Sequence, residues 1–430
     1  MPATASSFAD LGLRPVVVHA LRHAGVEIPF PIQTAVIPDA LTGRDVLGRA
    51  PTGSGKTLAF GLPLLHRLSG ASSRPASPRG LILAPTRELA LQIEKALEEP
   101  ALAHGLRIAS VIGGVPMKRQ VDRLKRGVDI VVATPGRLED LVSAGEIALT
   151  AVAITVVDEA DRMADLGFLP QVEALLDRTS KDGQRMLFSA TLDGDVDTLI
   201  ERYLRSPAEH YAAAPAVDSV AVVHHFFRVS AQDKATVATA IAARDGRTMV
   251  FLRTKHAVDR FTDSLRAEGI SASALHGDKS QANRTRALAA FADGSVPVLV
   301  ATDVVARGIH VDDVSLVLHV DPPADAKDYT HRAGRTARAG AGGIVVTLVT
   351  ESQESEVITL SEAAHIDVEL VDVGPTSPLL SSATGAKTPP GRPVVGTTDP
   401  AGSNATAEAK RRRRPVAHTA RPRFRRGGRR

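Results

Sequence analysis

A chain of 430 residues, 43% of them hydrophobic, has material for more than one core, and ordinary domain sizes favour two. It contains no cysteine, which excludes a disulfide framework, thiolate metal sites and thiol nucleophiles and fits a reducing cytoplasm. The net charge of +4 is uneven: Lys410–Arg430 holds 11 Lys or Arg and no acid, leaving 41 bases against 48 acids before it, a net of about −7.

No basic-then-apolar leader opens the chain at Met1–Asp10, and no apolar stretch approaches the roughly 20 residues that cross a bilayer. A soluble, cytoplasmic, monomeric protein without membrane association is therefore expected. In chain order, short β-rich runs alternate with segments of helical period, the pattern of parallel sheets covered by helices. Strands are predicted at Val46–Gly48, Leu81–Ala84, Ala109–Ile112, Ile130–Ala133, Val152–Val157 and Met186–Phe188. A second set falls at Thr248–Leu252, Ala272–Leu275, Val298–Ala301, Leu316–Val320 and Ile344–Val349. The Ala/Pro-rich stretch between them reads as a linker, which divides the chain into a first domain at 1–205, a linker at 206–220, a second domain at 221–372 and a tail at 373–430. The tail is rich in Pro, Gly, Ser and Thr and then in Arg, so it is expected to be disordered.

Ligands in open parallel sheets bind beyond the carboxyl ends of the strands, and the unusual polar clusters of this chain fall there. After the first predicted strand comes Ala50-Pro51-Thr52-Gly53-Ser54-Gly55-Lys56-Thr57. Its glycines allow successive N–H groups to cradle phosphate at a helix N-terminus, with Lys56 on the β and γ phosphates of ATP and Thr57 on Mg²⁺. Hydrolysis also needs a metal carboxylate and a group acting on water. Asp158-Glu159-Ala160-Asp161 follows an apolar run, which puts Asp158 in the metal position and Glu159 beside the attacking water.

The second half repeats the strand–helix pattern without a Gly-Lys-Thr loop, so a second ATP is not expected there. Its Arg335 and Arg338 are the candidates to stabilise charge on the γ-phosphate from across a cleft. Thr86, Arg87, Gly113, Gly114, Thr134, Gly136 and Arg137 offer hydroxyls, guanidinium groups and close backbone approach, which suit phosphate and sugar more than base edges. With only 3% aromatic residues, extensive base stacking is not expected.

With these residues in view, the chain resembles a DEAD-box ATP-dependent RNA helicase of superfamily 2, of the bacterial type. Asp158–Asp161 matches the family's name motif. Phe8, Gly25, Pro29, Ile32 and Gln33 resemble the Q motif, in which the glutamine reads adenine. Pro85-Thr86-Arg87-Glu88-Leu89-Ala90, Gly113-Gly114 and Thr134-Pro135-Gly136-Arg137 resemble RNA-backbone motifs, and Ser189-Ala190-Thr191 the motif coupling hydrolysis to unwinding, together with Asp161. Arg253-Thr254, His276-Gly277 with Gln281 and Arg284, Thr302-Asp303 through Gly308, and His331 through Arg338 resemble the later motifs. The resemblance spans roughly Phe8 to Val349.

It implies two tandem RecA-like domains, ATP and Mg²⁺ as cofactors, and RNA bound largely without regard to sequence. It places RNA contacts at Pro85, Pro135, Arg253, Thr254, His276, Gly277 and Thr302, nucleotide contacts at Asp303 and Gly308, and a linking role at His331. The basic tail is expected to bind RNA or ribosomal material. Three positions depart from the family pattern. Val26 follows Gly25 where an aromatic is usual, so stacking on adenine falls to Phe8 or elsewhere. His310 stands where an aspartate is usual, and Pro51 where a polar residue is. An ATP-gated RNA clamp and a DNA translocase are the rival readings, separable by strand displacement against RNA retention and by RNA against DNA stimulation of ATPase.

Overall fold

The computed structural model describes residues 7–50, 53–192, 194–211, 222–303, 313–337 and 342–394. Fourteen strands in the described residues form two parallel sheets of seven. The first holds β1 (Val46–Arg49), β2 (Gly80–Leu83), β3 (Ile108–Val111), β4 (Ile130–Ala133), β5 (Ile154–Asp158), β6 (Gln184–Ser189) and β7 (Ala208–Tyr211). The second holds β8 (Val222–Arg228), β9 (Arg247–Phe251), β10 (Ala272–Leu275), β11 (Val298–Ala301), β12 (Val314–His319), β13 (Gly343–Val349) and β14 (Leu370–Asp372). Their orders, β3-β4-β2-β5-β6-β1-β7 and β10-β11-β9-β12-β13-β8-β14, are one permutation used twice.

The strands read as nearly continuous apolar runs because both faces of each sheet are covered by helices. Period-2 alternation divides each run between two cores. Ile82, Val132, Val156 and Phe188 pack under one helical layer of the first sheet, and Leu81, Leu83, Val131 and Val157 under the other. Val250, Val300, Leu316 and Leu318 oppose Met249, Phe251, Leu299 and Val317 in the second sheet. Each parallel step needs a crossover, so every strand ends at one edge and hands the chain to a loop there. The expected two-domain α/β architecture is observed.

The boundaries differ from those expected. The first domain does not stop at 205: Ala208–Tyr211, assigned to the linker, is an edge strand paired in register with Val46–Arg49, and Ala208 N–H donates to Asp45 O (2.8 Å). A four-residue edge strand with one buried side chain leaves little periodic signal. Residues 212–221 lie outside the described residues. β8 and β14 also escaped the sequence reading. β8, Val-Val-His-His-Phe-Phe-Arg, lacks clean alternation because it is central and flanked by β13 and β14.

The tail reading is corrected for 373–394. Val373 and Leu380 enter the second domain's core, and Pro378–Thr384 is a helix. The strap continues through Lys387 N–H to Ala240 O (3.1 Å), Gly391 N–H to Glu268 O (2.9 Å) and Val394 N–H to Arg266 O (3.0 Å). These bonds satisfy carbonyls near the C-terminal ends of two helices, a local stabilisation that composition does not register. The basic run at 410–430 lies outside the described residues.

Candidate nucleotide and nucleic-acid site

The loop after β1 is built from the sheet outward. Ala50 is buried and its N–H continues the ladder to Ser189 O (3.2 Å); Pro51 and Thr52 lie outside the described residues. Gly53 and Gly55 hold φ of +90° and +89°, conformations that side chains disfavour, and the exposed Gly53 and half-buried Ser54 lead into the Lys56–Leu68 helix. Gly55 is required twice, because a Cβ there would lie 2.5 Å from Gln33 Nε2 and 2.7 Å from the Phe30 ring. Lys56 is buried and its Nζ donates back to Ala50 O (3.0 Å), spanning the loop; Thr57 follows in the first helical turn.

Gln33 ties this loop to the Pro31–Thr42 helix. Its Oε1 accepts from Phe30 N–H (2.8 Å) and its Nε2 donates to Gly55 O (3.0 Å). Asp158 ends β5, fully buried. Burial pushes its carboxyl up to about 7, with the like charge of Glu159 adding to the rise and Lys56 opposing it. Glu159 takes φ 53° and ψ 55°, a left-handed position unusual for a residue with a side chain, and this kink turns strand into the Ala160–Asp165 helix. Its N–H donates to Asp158 Oδ1 (3.0 Å).

Asp161 joins β5 to the loop after β6. Its Oδ2 accepts from Ala190 N–H (3.2 Å), Thr191 N–H (3.1 Å) and Thr191 Oγ1 (3.1 Å), while its own N–H donates to Ser189 Oγ (3.2 Å). Burial would raise this carboxyl, but the Lys56 charge and the bonds from Thr191 hold it below the ordinary range. The structure thus brings Lys56, Asp158, Glu159, Asp161, Ser189 and Thr191 to one sheet edge. The same locality holds two neighbouring carboxylates whose environments push their pKa values in opposite directions.

The other strand ends form a second cluster. Thr86 caps the Arg87–Ala103 helix by accepting Leu89 N–H (3.2 Å), and Thr134 sits at the N-cap of Pro135–Ser143. The Arg87 guanidinium packs against Gly113 and Gly114, 2.3 Å from where a Cβ on Gly114 would stand, and Gly114 also holds φ of +76°. Arg137 is committed to this turn, donating to Ile112 O (3.2 Å) and Val115 O (2.7 Å). Gln120 clasps it too, with Oε1 on Ile112 N–H (2.8 Å) and Nε2 on Val115 O (3.2 Å). Gly114 and Gly136 are exposed, whereas Pro85, Thr86 and Pro135 are buried.

In the second domain Arg253, Thr254 and Gly277 are exposed at strand ends, while His276 and Thr302 are buried; Thr254 caps its helix by accepting Ala257 N–H (3.2 Å). His276 Nε2 meets Asp259 (3.0 Å). Asp303 is engaged by Arg332, Nε to Oδ1 at 2.5 Å and Nη2 to Oδ2 at 2.7 Å, and Arg332 Nη1 also donates to Asp321 O (2.7 Å). Arg335 is buried one turn later, with Nε on His331 O (3.1 Å). Gly308, His310 and Arg338 lie outside the described residues.

Sequence reasoning assigned no separate role to Arg332, Gln120 or Glu88, although two of them sit within quoted motifs. Glu88 accepts from Gln281 Nε2 (3.0 Å) and pairs with Arg284 (2.5 Å), and Asp165 pairs with Lys327 (2.8 Å), so polar contacts at Glu88 and at Asp165 join the two domains. Only the pairing of a buried acid in one half with a basic residue in the other would have revealed Glu88, and one sequence does not show pairings.

Comparison with known proteins agrees with this geometry. Residues 30–199 match the model of the DEAD/DEAH box helicase family, and residues 228–340 that of the helicase conserved C-terminal domain. The chain is 39% identical over 355 residues to DEAD-box ATP-dependent RNA helicase 9, mitochondrial, of Arabidopsis thaliana, covering 81% of this chain and 58% of that protein. It is 41% identical to the ATP-dependent RNA helicase RhlB of Xanthomonas axonopodis pv. citri, covering 81% and 63%. The chain therefore spans about three fifths of the length of these relatives. Among solved structures it is similar to S. cerevisiae Dbp5 bound to RNA and ADP BeF3, with TM-score 0.76 and 28% identity over 86% of this chain and 96% of that one.

Proposed function

The chain belongs to the DEAD-box helicase family, and from that premise we propose that it is an ATP-dependent RNA helicase coupling ATP hydrolysis to local duplex unwinding or to remodelling of RNA–protein complexes. The observation that carries this reading is the joining of Asp161 to Ser189 and Thr191 directly beside Lys56, Asp158 and Glu159, which links the place of hydrolysis to a neighbouring strand end.

Gln33 reads the adenine edge, and the backbone of Ala50–Gly55 with Lys56 holds the phosphates. The donor set suits a nucleotide-bound Mg²⁺: Asp158 is a buried carboxylate at odds with its own charge, a condition a cation relieves, and the Thr57 hydroxyl stands in the adjoining helical turn. The metal would neutralise phosphate charge. Glu159 orients and deprotonates the attacking water, the bond from the γ-phosphorus to ADP breaks, and Arg335 with Arg338 offsets the charge that develops. Asp161 passes the change of state to Ser189 and Thr191, and His331 links the phosphate side to the RNA side.

RNA contacts fall to the exposed rim of the two domains, Gly114, Gly136, Arg253, Thr254 and Gly277, with Thr86, Arg87, Gly113, Thr134, His276 and Thr302 behind it. These are groups that grip phosphate and sugar, so binding is largely independent of sequence. The basic tail adds affinity for RNA or ribosomal material. No helix among the described residues is long and apolar enough to cross a membrane. A cytoplasmic monomer is part of the same proposal and rests on the cysteine-free composition and the family reading. The test is the ATPase rate of the purified protein with and without RNA, with DNA in its place, and with GTP replacing ATP. RNA-specific stimulation of ATP turnover is expected; equal stimulation by DNA overturns the RNA assignment.

A further inference from the structure

The DEAD-box pattern carries an aromatic ring where this chain has Val26, and the structure shows what stands in its place. Val26 packs inward with Phe8, Ile37 and Leu62. Phe8, the other aromatic of the Q-motif segment, is only 1% exposed and enclosed in that same cluster. Just after Val26 the chain passes through Ile28, Pro29 and Phe30 into the next helix, and here the burial is inverted. Pro29 is buried, while Ile28 is 76% and Phe30 52% exposed, so two large apolar side chains two residues apart lie open to solvent.

Phe30 adjoins the phosphate loop. A Cβ on Gly55 would stand between the Phe30 ring and the Gln33 amide, so ring, amide and loop converge on one point. Phenylalanine is also an unusual occupant of its own position, the N-cap of the Pro31–Thr42 helix, where Ser, Thr, Asp or Asn would serve the backbone better. The helix instead draws its partner from Gln33, whose Oε1 accepts the Phe30 N–H (2.8 Å). The ring is thus not needed for the cap, and half of it lies in water.

We propose that Phe30 is the residue on which the nucleobase of ATP stacks in this protein, taking over from the ring that is absent at Val26. This rests on the reading of the Gly53–Thr57 loop as an ATP site. A purine presents an apolar face and a polar edge. Phe30 offers the apolar surface, and Gln33 the edge: its amide oxygen and nitrogen each retain capacity for a second hydrogen bond beyond those to Phe30 and Gly55. Because Gln33 Oε1 is held by the backbone of Phe30 itself, the two recognition elements move as one piece.

The experiment measures equilibrium binding of ATP and of inorganic tripolyphosphate, which lacks the base, to the full chain and its Phe30→Leu and Phe30→Tyr variants. Leucine keeps apolar bulk without a ring, and tyrosine restores the ring. Phe30→Leu is expected to weaken ATP about tenfold, equivalent to ~1.4 kcal/mol, and to leave tripolyphosphate unchanged; Phe30→Tyr is expected to bind both as wild type does. ATP affinity unchanged in Phe30→Leu overturns the proposal. So does a parallel loss of ATP and tripolyphosphate, which would make the ring a support of the phosphate loop. Failure of the wild-type protein to bind ATP at all would instead overturn the underlying reading of the loop, and it shows before any substitution is made.

Discussion

Glu88 and Arg284 belong to different domains and meet at 2.5 Å with both side chains almost wholly buried. Gln281 adds a hydrogen bond to the same carboxylate at 3.0 Å. A buried pair of this kind is not a large net source of stability, but removing one member strands the other, at a cost of about 3–5 kcal/mol. That cost falls on the closed arrangement alone, since in an open one both groups return to water. Glu88→Ala is therefore expected to reduce RNA-stimulated ATP turnover at least tenfold while leaving the thermal unfolding of the nucleotide-free protein within a few degrees of wild type. Fluorescence energy transfer between labels on the two domains, recorded with ATP and RNA, reads closure directly; normal closure in the variant would refute the assignment.

The loop and the acidic quartet predict opposite kinetic signatures. Lys56→Ala removes a phosphate contact made in the ground state and should raise the Kd for ATP at least tenfold. Glu159→Gln keeps size and burial but loses the base, so ATP binding should survive while turnover falls by two orders of magnitude or more. Binding titrations paired with single-turnover hydrolysis distinguish the two. Near-normal turnover in Glu159→Gln would remove that residue from the chemistry.

Arg332 holds Asp303 with two nitrogens and Asp321 O with a third, one helical turn before Arg335. It is a positioning residue, because it fixes the Ala326–Ala333 helix against the ends of β11 and β12. A lysine retains the charge but cannot make the forked contact. Arg332→Lys is expected to lower kcat about tenfold and to leave ATP affinity within about threefold, since the phosphate loop is in the other domain. An unchanged kcat would show that Arg335 is positioned by other contacts.

Acid should loosen the second domain as pH falls below about 6.5. His319 is fully buried against Phe251 and Tyr329 with Nδ1 on Thr347 (3.0 Å), and burial, then Arg332 and His224, hold its pKa well below 6.5. Burial shifts His224 and His225 in the same direction. A depressed histidine stays neutral when folded but takes a proton when unfolded, so stability is constant above about 6.5 and declines as pH falls below it. His319 alone accounts for at most ~1.4 kcal/mol per pH unit within that window. Urea midpoints of wild type and His319→Asn at pH 7.5, 6.5 and 5.5 check this: the wild-type midpoint should fall with pH, and the variant's should fall less.

Ending the chain at Ala409 removes all 11 basic residues of 410–430 and leaves every ATP motif in place. Affinity for RNA should drop and more RNA should be needed to stimulate ATPase, with the rate at saturating RNA unchanged. If about half of those charges pair with phosphates, the slope of log K against log salt should flatten by roughly 4, at about 0.7 per phosphate on single strands. Parallel salt titrations for the two proteins would show that the run is not an RNA-binding arm.

Much of this was legible in the sequence because the chemistry sits on strand ends. The apolar runs at Ile130–Ala133, Ala272–Leu275 and Val298–Ala301 are observed strands with the same limits, since strands buried on both faces advertise themselves by composition. Lys56, Asp158 and Asp161 follow such runs and fall together once the strands are ordered. What stayed hidden is what depends on distant partners. Nothing near Ala208–Tyr211 announces that it lies against β1, and nothing near Leu380 that the second domain's core receives it. In sequence Arg332 is one more arginine of a basic motif, and only the fold puts Asp303 within its reach. Nothing in the sequence marks Phe30, because a hydrophobic residue before a helix is ordinarily buried and this one is half exposed.

The shared strand permutation makes residues of the two domains counterparts by position. β2 and β9 occupy the same place in their sheets, and each is followed by a threonine, Thr86 or Thr254, whose hydroxyl accepts a backbone N–H three residues on, at 3.2 Å in both cases. The loops after β1 and β8 are counterparts as well, but only the first carries the glycines and lysine of a phosphate cradle. One strand plan thus supplies two equivalent helix starts and, among the described residues, one phosphate cradle. Under the proposed function, two like helix starts at a separation governed by one bound nucleotide would behave as a caliper: a single strand of phosphates could satisfy both jaws only at the setting that the nucleotide imposes. Loss of the γ-phosphate would reset the gap, and release would follow from a change of distance, with neither grip having to change its own chemistry.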